Sequence, residues 1–146
     1  MTTTIAPPSI KLLLGESRAA WAYGRYLLRG LGHRQLPLGK GQPVLVVPGF
    51  GASDASTRPL RRALSKLGYN VYGWAQGTNL GMNSKRKNLL VTQLQAINTR
   101  HGQPVALVGW SLGGVFAREL ARAFPDQVSQ VSVSYTHLRA HETRFY

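Results

Sequence analysis

The sequence has no cysteine, no long apolar run and few acidic residues. The absence of cysteine among its 146 residues excludes disulfides, thiolate metal ligands and a cysteine nucleophile. No run approaches the roughly 18 apolar residues that a membrane-spanning helix needs. The residues from Met1 to Pro8 lack the basic and apolar segments of a secretory signal. We therefore expect a cytoplasmic protein.

The sequence contains 5 acidic residues and 18 lysines and arginines, which gives a formal net charge of +13. Such an excess can serve binding to nucleic acid or to an anionic membrane. The basic residues are spread along predicted helices, and the one dense cluster is the run from Lys85 to Lys87. Because no aromatic interleaving or nucleic-acid motif accompanies the charge, we expect solvated helix faces and no nucleic-acid partner. Peripheral membrane contact stays open, as does the oligomeric state.

The chain, 43% hydrophobic, alternates short apolar runs with helical patterns. The runs Val44–Val47 and Val105–Val108 contain no polar side chain, which is typical of parallel strands buried on both faces. This alternation predicts an α/β domain whose parallel sheet has helices on both faces. Besides these two strands, the predicted elements are a helix from Ser9 to about Leu31 within a helical segment 1–32, a helix capped by Thr57, a strand from Tyr69 to Trp74, a helix capped by Ser84, and a helix from about Leu112 to Phe124.

The segment Gly109-Trp110-Ser111-Leu112-Gly113 joins a predicted strand to a predicted helix. The pattern Gly-x-Ser-x-Gly alone would match by chance in a chain of this length about one time in 20. Its position is that of a nucleophile elbow, in which a serine stands on a strained turn with its hydroxyl above the sheet. Glycines at 109 and 113 suit the close approach of neighbouring backbone. Ser111 is therefore our candidate catalytic nucleophile; the alternative is a glycine-rich turn without chemistry.

Attack by serine on an ester creates an oxyanion that needs hydrogen-bond donors. One donor is the backbone N–H of the residue after the nucleophile, here Leu112, at the positive end of a helix. The other comes from the loop after an earlier strand. The loop from Pro48 to Ser53, with Gly49 in its turn, fits that description and presents Phe50 as the second donor. The alternative is an ordinary Pro-Gly turn.

These two segments carry a family resemblance. The stretches from Pro43 to Met82 and from Gly102 to Val131 resemble lipase- and esterase-like α/β-hydrolases, over about half of the chain. Pro48 stands where lipases carry a histidine before the oxyanion glycine. The resemblance implies a three-layer α/β-hydrolase fold and hydrolysis of an apolar ester or lipid through an acyl-serine, without metal or organic cofactor. In that scheme five side chains suggest an apolar acyl pocket, although each could equally belong to the core: Phe50, Trp74, Met82, Trp110 and Leu112.

The residues that would complete a catalytic triad are harder to find. In this family the order is serine, then acid, then histidine. Glu119 lies on the helix that leaves the elbow, and Asp126 follows that helix, whose 12 or so residues carry the chain roughly 18 Å away. Neither can orient a base beside Ser111. His33 and His101 precede the serine and fit loop or helix-end positions.

The stretch from Val128 to Val131 begins what should be the next buried strand, but the segment 132–146 does not continue it as an apolar run. It resembles the translation of a sequencing adapter, and we expect it to be non-native. Residues 1–131 would then be the N-terminal part of an α/β-hydrolase domain, incomplete at the C-terminal side, without triad acid and histidine and inactive on its own. The alternative is a compact hydrolase whose tail supplies His137 or His141.

Two other functions remain open. An acyltransferase, a thioesterase or a haloperoxidase-like enzyme would use the same elbow and oxyanion loop, since one fold serves many reactions. A non-catalytic basic binding module could use the same scaffold, and salt-dependent binding to DNA or anionic vesicles would favour it.

Overall fold

A computed structural model describes residues 38–134. The helix predicted from Ser9 to about Leu31 lies outside the described residues, and so do His33, His137 and His141. The described chain contains four strands and three α-helices in alternation. In chain order they are β1 (Pro43–Val47), α1 (Asp54–Lys66), β2 (Asn70–Tyr72), α2 (Ser84–His101), β3 (Val105–Trp110), α3 (Leu112–Ala123), a short 3-10 turn (Pro125–Gln127) and β4 (Val128–Ser134).

All strand pairs are parallel, and the strand order is β2-β1-β3-β4. In the β1–β3 pair, Val44 lies opposite Ala106 and Val47 lies opposite Gly109. The two apolar runs are thus parallel strands, as the sequence predicts, and they are neighbours in the sheet. Strands β2 and β3 lie on opposite sides of β1, so the loops after β1 and β3 open side by side at the carboxyl edge, where α/β sheets hold their ligands.

The helices cover both faces of the sheet. Leu45 and Val47 share one buried cluster with apolar side chains of α2 and α3, including Leu94 and Phe116. Val44 and Val46 alternate with them along β1, so they face the opposite side, where α1 packs on β1 and β2. This is the α/β arrangement that the sequence predicts.

Two helix starts differ from the predicted ones. Helix α1 begins at Asp54 and is capped by Ser53, while Thr57 is buried inside it and its hydroxyl donates back to the Asp54 carbonyl at 3.3 Å. Helix α2 is capped by Asn83, whose side chain accepts from the Arg86 amide at 2.8 Å. Several residues of cap-forming type lie within one turn of each helix start, and the sequence alone does not show which of them caps the helix.

Strand β4 continues to Ser134, three residues beyond the boundary expected near Val131. It stays in parallel register with β3, with Val133 opposite Gly109 and Ser134 opposite Trp110. The non-native origin of the segment from Ser132 onward stays a prediction. Among residues 38–134, no helix has the length and apolarity needed to cross a membrane.

Candidate active site

Ser111 lies between the last residue of β3 and the first residue of α3, with φ 49° and ψ −117°. In residues 38–134 only Ala75 among the other non-glycine residues has positive φ. Such a backbone costs about 1–3 kcal/mol and persists where the surroundings enforce it. The Ser111 amide donates to the Ser134 carbonyl at 2.8 Å, and the Gly114 amide donates to the Ser111 carbonyl at 2.9 Å. The strained strand-to-helix turn expected of an elbow is present.

The glycines around Ser111 allow backbone to approach backbone. A Cβ on Gly109 would collide with Gly114, and a Cβ on Gly113 would collide with the carbonyl oxygens of Val47 and Pro48. The first turn of α3 is therefore seated directly on β1 and β3. Ser111 is half-buried and its side chain does not cap α3, so no helix amide holds the hydroxyl.

The loop after β1 lies against the elbow. The position of a Cβ on Gly49 is 3.0 Å from Trp110 Cδ1 and 3.4 Å from Ser111 Cβ. Phe50, the next residue, is 41% exposed. Within the described part of the chain, neither the Phe50 nor the Leu112 amide donates a hydrogen bond. Leu112 is the first residue of α3, where amides lack partners inside the helix.

Asn79 lies on the loop between β2 and α2, is fully buried and makes four hydrogen bonds. Its side chain donates to the Pro48 carbonyl at 2.8 Å and accepts from the Gly81 amide at 3.1 Å. Its backbone accepts from the Gly51 amide at 2.7 Å and donates to the Ala52 carbonyl at 2.8 Å. Sequence reasoning missed this residue, because nothing in a Gly- and Asn-rich loop indicates which amide side chain will be buried.

Asp54, at the start of α1, joins the loop after β1 to the loop after β2. Its carboxylate accepts from the amides of Trp74 at 2.7 Å and Ala75 at 2.8 Å. A Cβ on Gly73 would lie 2.6 Å from Asp54 Oδ1, so any larger residue at position 73 would collide with the carboxylate. The two contacts hold Ala75 in its positive-φ conformation, with φ 57°.

We expect Asp54→Ala to lower the free energy of unfolding by about 2 kcal/mol, since it removes two charge-assisted hydrogen bonds. Asp126→Ala is the matched control, because that carboxylate is exposed and lies in the 3-10 turn that follows α3. Urea denaturation of both variants measures the difference. Equal midpoints for the two variants would contradict the role given to Asp54.

The five side chains suggested for an acyl pocket have different environments. Trp74 is fully buried and stacks on Phe116 with ring centroids 6.4 Å apart, so it belongs to the core. Trp110 is 9% exposed, whereas Phe50 and Met82 are 41% and 37% exposed. Leu112 is half-buried against the core.

Among residues 38–134, no histidine lies beside Ser111. His101 is the only histidine there, and it ends α2 with Nε2 2.7 Å from the Tyr72 hydroxyl. It precedes β3, whose six residues separate it from Ser111 by about 20 Å. Glu119 is exposed and pairs with Arg122 at 2.8 Å. Both residues are where the sequence places them, away from the serine.

Comparison with known proteins gives two sequence relatives, and no family model matches the chain. The pimeloyl-[acyl-carrier protein] methyl ester esterase of Aliivibrio salmonicida is 32% identical over 98 residues, which cover 64% of this chain and 35% of that protein. The enzyme of the same name from Shewanella woodyi is 29% identical over 91 residues, covering 62% and 34%. The match thus spans about a third of the length of these curated relatives.

Solved structures of one lipase share the fold. The Bacillus licheniformis lipase BlEst2 superposes with a TM-score of 0.52 and 19% identity over 68% of this chain. The matched part is 23% of its propeptide form and 42% of its mature form. The chain thus has the α/β-hydrolase fold of this lipase and is similar in sequence to the two methyl ester esterases.

Proposed function

We propose that this chain carries the nucleophile half of a carboxylic-ester hydrolase, with Ser111 as the nucleophile. The observation that supports this most strongly is the juxtaposition of the strained Ser111 turn with the loop after β1. Gly49 brings that loop against the elbow, with its Cβ position 3.4 Å from Ser111 Cβ. Both neighbouring amides, of Phe50 and Leu112, are without partners among residues 38–134. A nucleophile and two donors at one edge of a sheet suit acyl transfer.

In the proposed mechanism, Ser111 Oγ attacks the ester carbonyl carbon while a histidine removes its proton. The carbonyl oxygen becomes an oxyanion that accepts from the Phe50 and Leu112 amides, and the dipole of α3 favours this charge. Collapse expels the alcohol, which takes the proton from the histidine, and leaves an acyl group on Ser111. Water then attacks the acyl carbon, the acid leaves, and Oγ regains its proton.

We further propose that the histidine and its orienting acid are supplied from outside residues 38–134. The curated relatives are about three times as long as the matched segment, which leaves room for both. The substrate is an ester with an apolar acyl group, because Phe50 and Met82 present exposed apolar surface on the loops at this edge. The relatives' printed activity, on a methyl ester of an acyl group, belongs to the same class.

The reaction class is tested with the full-length product of the gene that encodes this sequence. We expect it to hydrolyse nitrophenyl esters of short and medium acyl chains and to release one acid for each nitrophenol. Adding glycerol or a thiol should leave the acid yield unchanged. If most acyl groups were transferred to the added acceptor, the enzyme would be an acyltransferase and not a hydrolase.

The 146-residue chain expressed alone should turn over no nitrophenyl ester above background, because the one histidine of residues 38–134 is remote from Ser111 and we propose that the rest of the full-length product supplies the base and the acid. The same assay on the full-length product is the positive control. Turnover by the 146-residue chain that is lost on His137→Ala or His141→Ala would contradict this and favour a compact, complete hydrolase.

A further inference from the structure

Asn79 is bonded to both sides of the loop that carries Phe50. Its side-chain amide holds the Pro48 carbonyl at 2.8 Å, on the strand side of that loop. Its backbone pairs with Gly51 at 2.7 Å and Ala52 at 2.8 Å, on the helix side. Only Gly49 and Phe50 lie between these anchors, so the direction of the Phe50 N–H depends on both of them.

The side chain of Asn79 uses both ends of its amide. Nδ2 donates to the Pro48 carbonyl, while Oδ1 accepts from the Gly81 amide at 3.1 Å. Asn79 has no exposed surface, so water cannot replace either bond without entering the packed interior. An aspartate would keep the acceptor and lose the donor, and an alanine would lose both.

The geometry points to Asn79 as a positioning residue that aims the Phe50 amide at the oxyanion, an assignment that rests on the proposed ester hydrolysis at Ser111. Phe50 N–H follows the Pro48–Gly49 peptide by one residue, and Gly49 offers little resistance to rotation. The bond from Asn79 to the Pro48 carbonyl fixes the orientation of the peptide before Gly49, and the backbone bonds to Gly51 and Ala52 fix the chain after Phe50. Asn79 touches neither substrate nor nucleophile in this scheme; it acts through the loop.

A positioning role and a purely structural role differ in what they change. Loss of an oxyanion donor's alignment weakens an interaction made in the transition state, so it lowers kcat and leaves KM nearly unchanged. A structural loss reduces the number of folded molecules and leaves each folded molecule as active as before. Turnover per active site, counted by titration with a fluorophosphonate, separates the two.

The experiment uses the full-length gene product with Asn79→Ala and the near-isosteric Asn79→Asp. The control is Asn98→Ala, which removes a similar amide bond, 3.0 Å to the Gln103 carbonyl, at the opposite end of the sheet. We expect kcat per titrated site to fall about 10- to 100-fold in both Asn79 variants, with KM within about twofold. Asn98→Ala should lose titratable sites on heating and keep wild-type turnover per site.

Two results would overturn the proposal in distinguishable ways. Wild-type turnover per titrated site in both Asn79 variants, with Ser111-dependent hydrolysis intact, would make Asn79 structural only and leave the proposed function standing. Absence of Ser111-dependent hydrolysis in the unaltered protein would remove the proposed function and this assignment together. If most of the Asn79→Ala protein does not fold, the folded fraction still decides, since turnover is counted per titrated site.

Discussion

Ser111→Ala is expected to abolish ester hydrolysis by the full-length gene product. The loss in kcat should be at least about 10⁴-fold, because removal of a serine nucleophile removes the covalent route entirely. Labelling by a fluorophosphonate should disappear as well. Nitrophenyl butyrate hydrolysis and gel fluorescence measure the two effects.

Ser65→Ala is the matched control, since Ser65 is exposed on α1 and has no role in the elbow. That variant should keep both activity and labelling. The Ser111 hydroxyl does not cap α3, so its removal costs the helix no hydrogen bond. The melting temperature of Ser111→Ala should therefore stay close to that of the unaltered protein. Turnover retained by Ser111→Ala would remove Ser111 from the nucleophile role.

Gly113→Ala is expected to lower the free energy of unfolding by about 3 kcal/mol or more. The added methyl group would collide with the Val47 carbonyl oxygen and lie 2.6 Å from the Pro48 carbonyl oxygen. Both belong to backbone at the end of β1, so no side-chain rotation relieves the contact. The start of α3 must then move away from β1, which also displaces Ser111 from the loop after β1. Urea denaturation and esterase assays measure the two consequences.

Gly102→Ala separates this collision from the general cost of replacing a glycine. Gly102 ends α2 with φ 61° and has open space at its Cβ position, so alanine there costs only backbone strain, about 1 kcal/mol. Its esterase activity should be unchanged. Similar losses of stability in the two variants would show that the contact between α3 and β1 is looser than described.

The elements that the sequence predicts well are those determined by local pattern. The apolar runs Val44–Val47 and Val105–Val108 become adjacent buried strands, because unbroken apolar runs bounded by Pro and Gly have few other places in an α/β domain. The strained turn at Ser111 is predicted by its position between a strand and a helix, and its φ of 49° agrees with that prediction.

The features that the sequence does not reveal depend on contacts between distant segments. Asn79 is buried because the loop after β1 folds over it, 31 residues away in the chain at Pro48. Asp54 reaches the amides of Trp74 and Ala75, which follow a strand of only three residues. Polar loop residues carry no periodic signal, so their partners become visible only when the sheet brings the loops together.

The most direct test of the account is peptide mapping of the trapped enzyme. The full-length gene product is treated with a fluorophosphonate or quenched in acid during turnover of a slow ester, digested with trypsin and examined by tandem mass spectrometry. Cleavage after Arg100 and Arg118 releases a peptide of residues 101–118 in which Ser111 is the only hydroxyl-bearing residue. The account predicts that this peptide alone gains the phosphonyl or acyl mass; a modified serine elsewhere, with residues 101–118 unmodified, would contradict it.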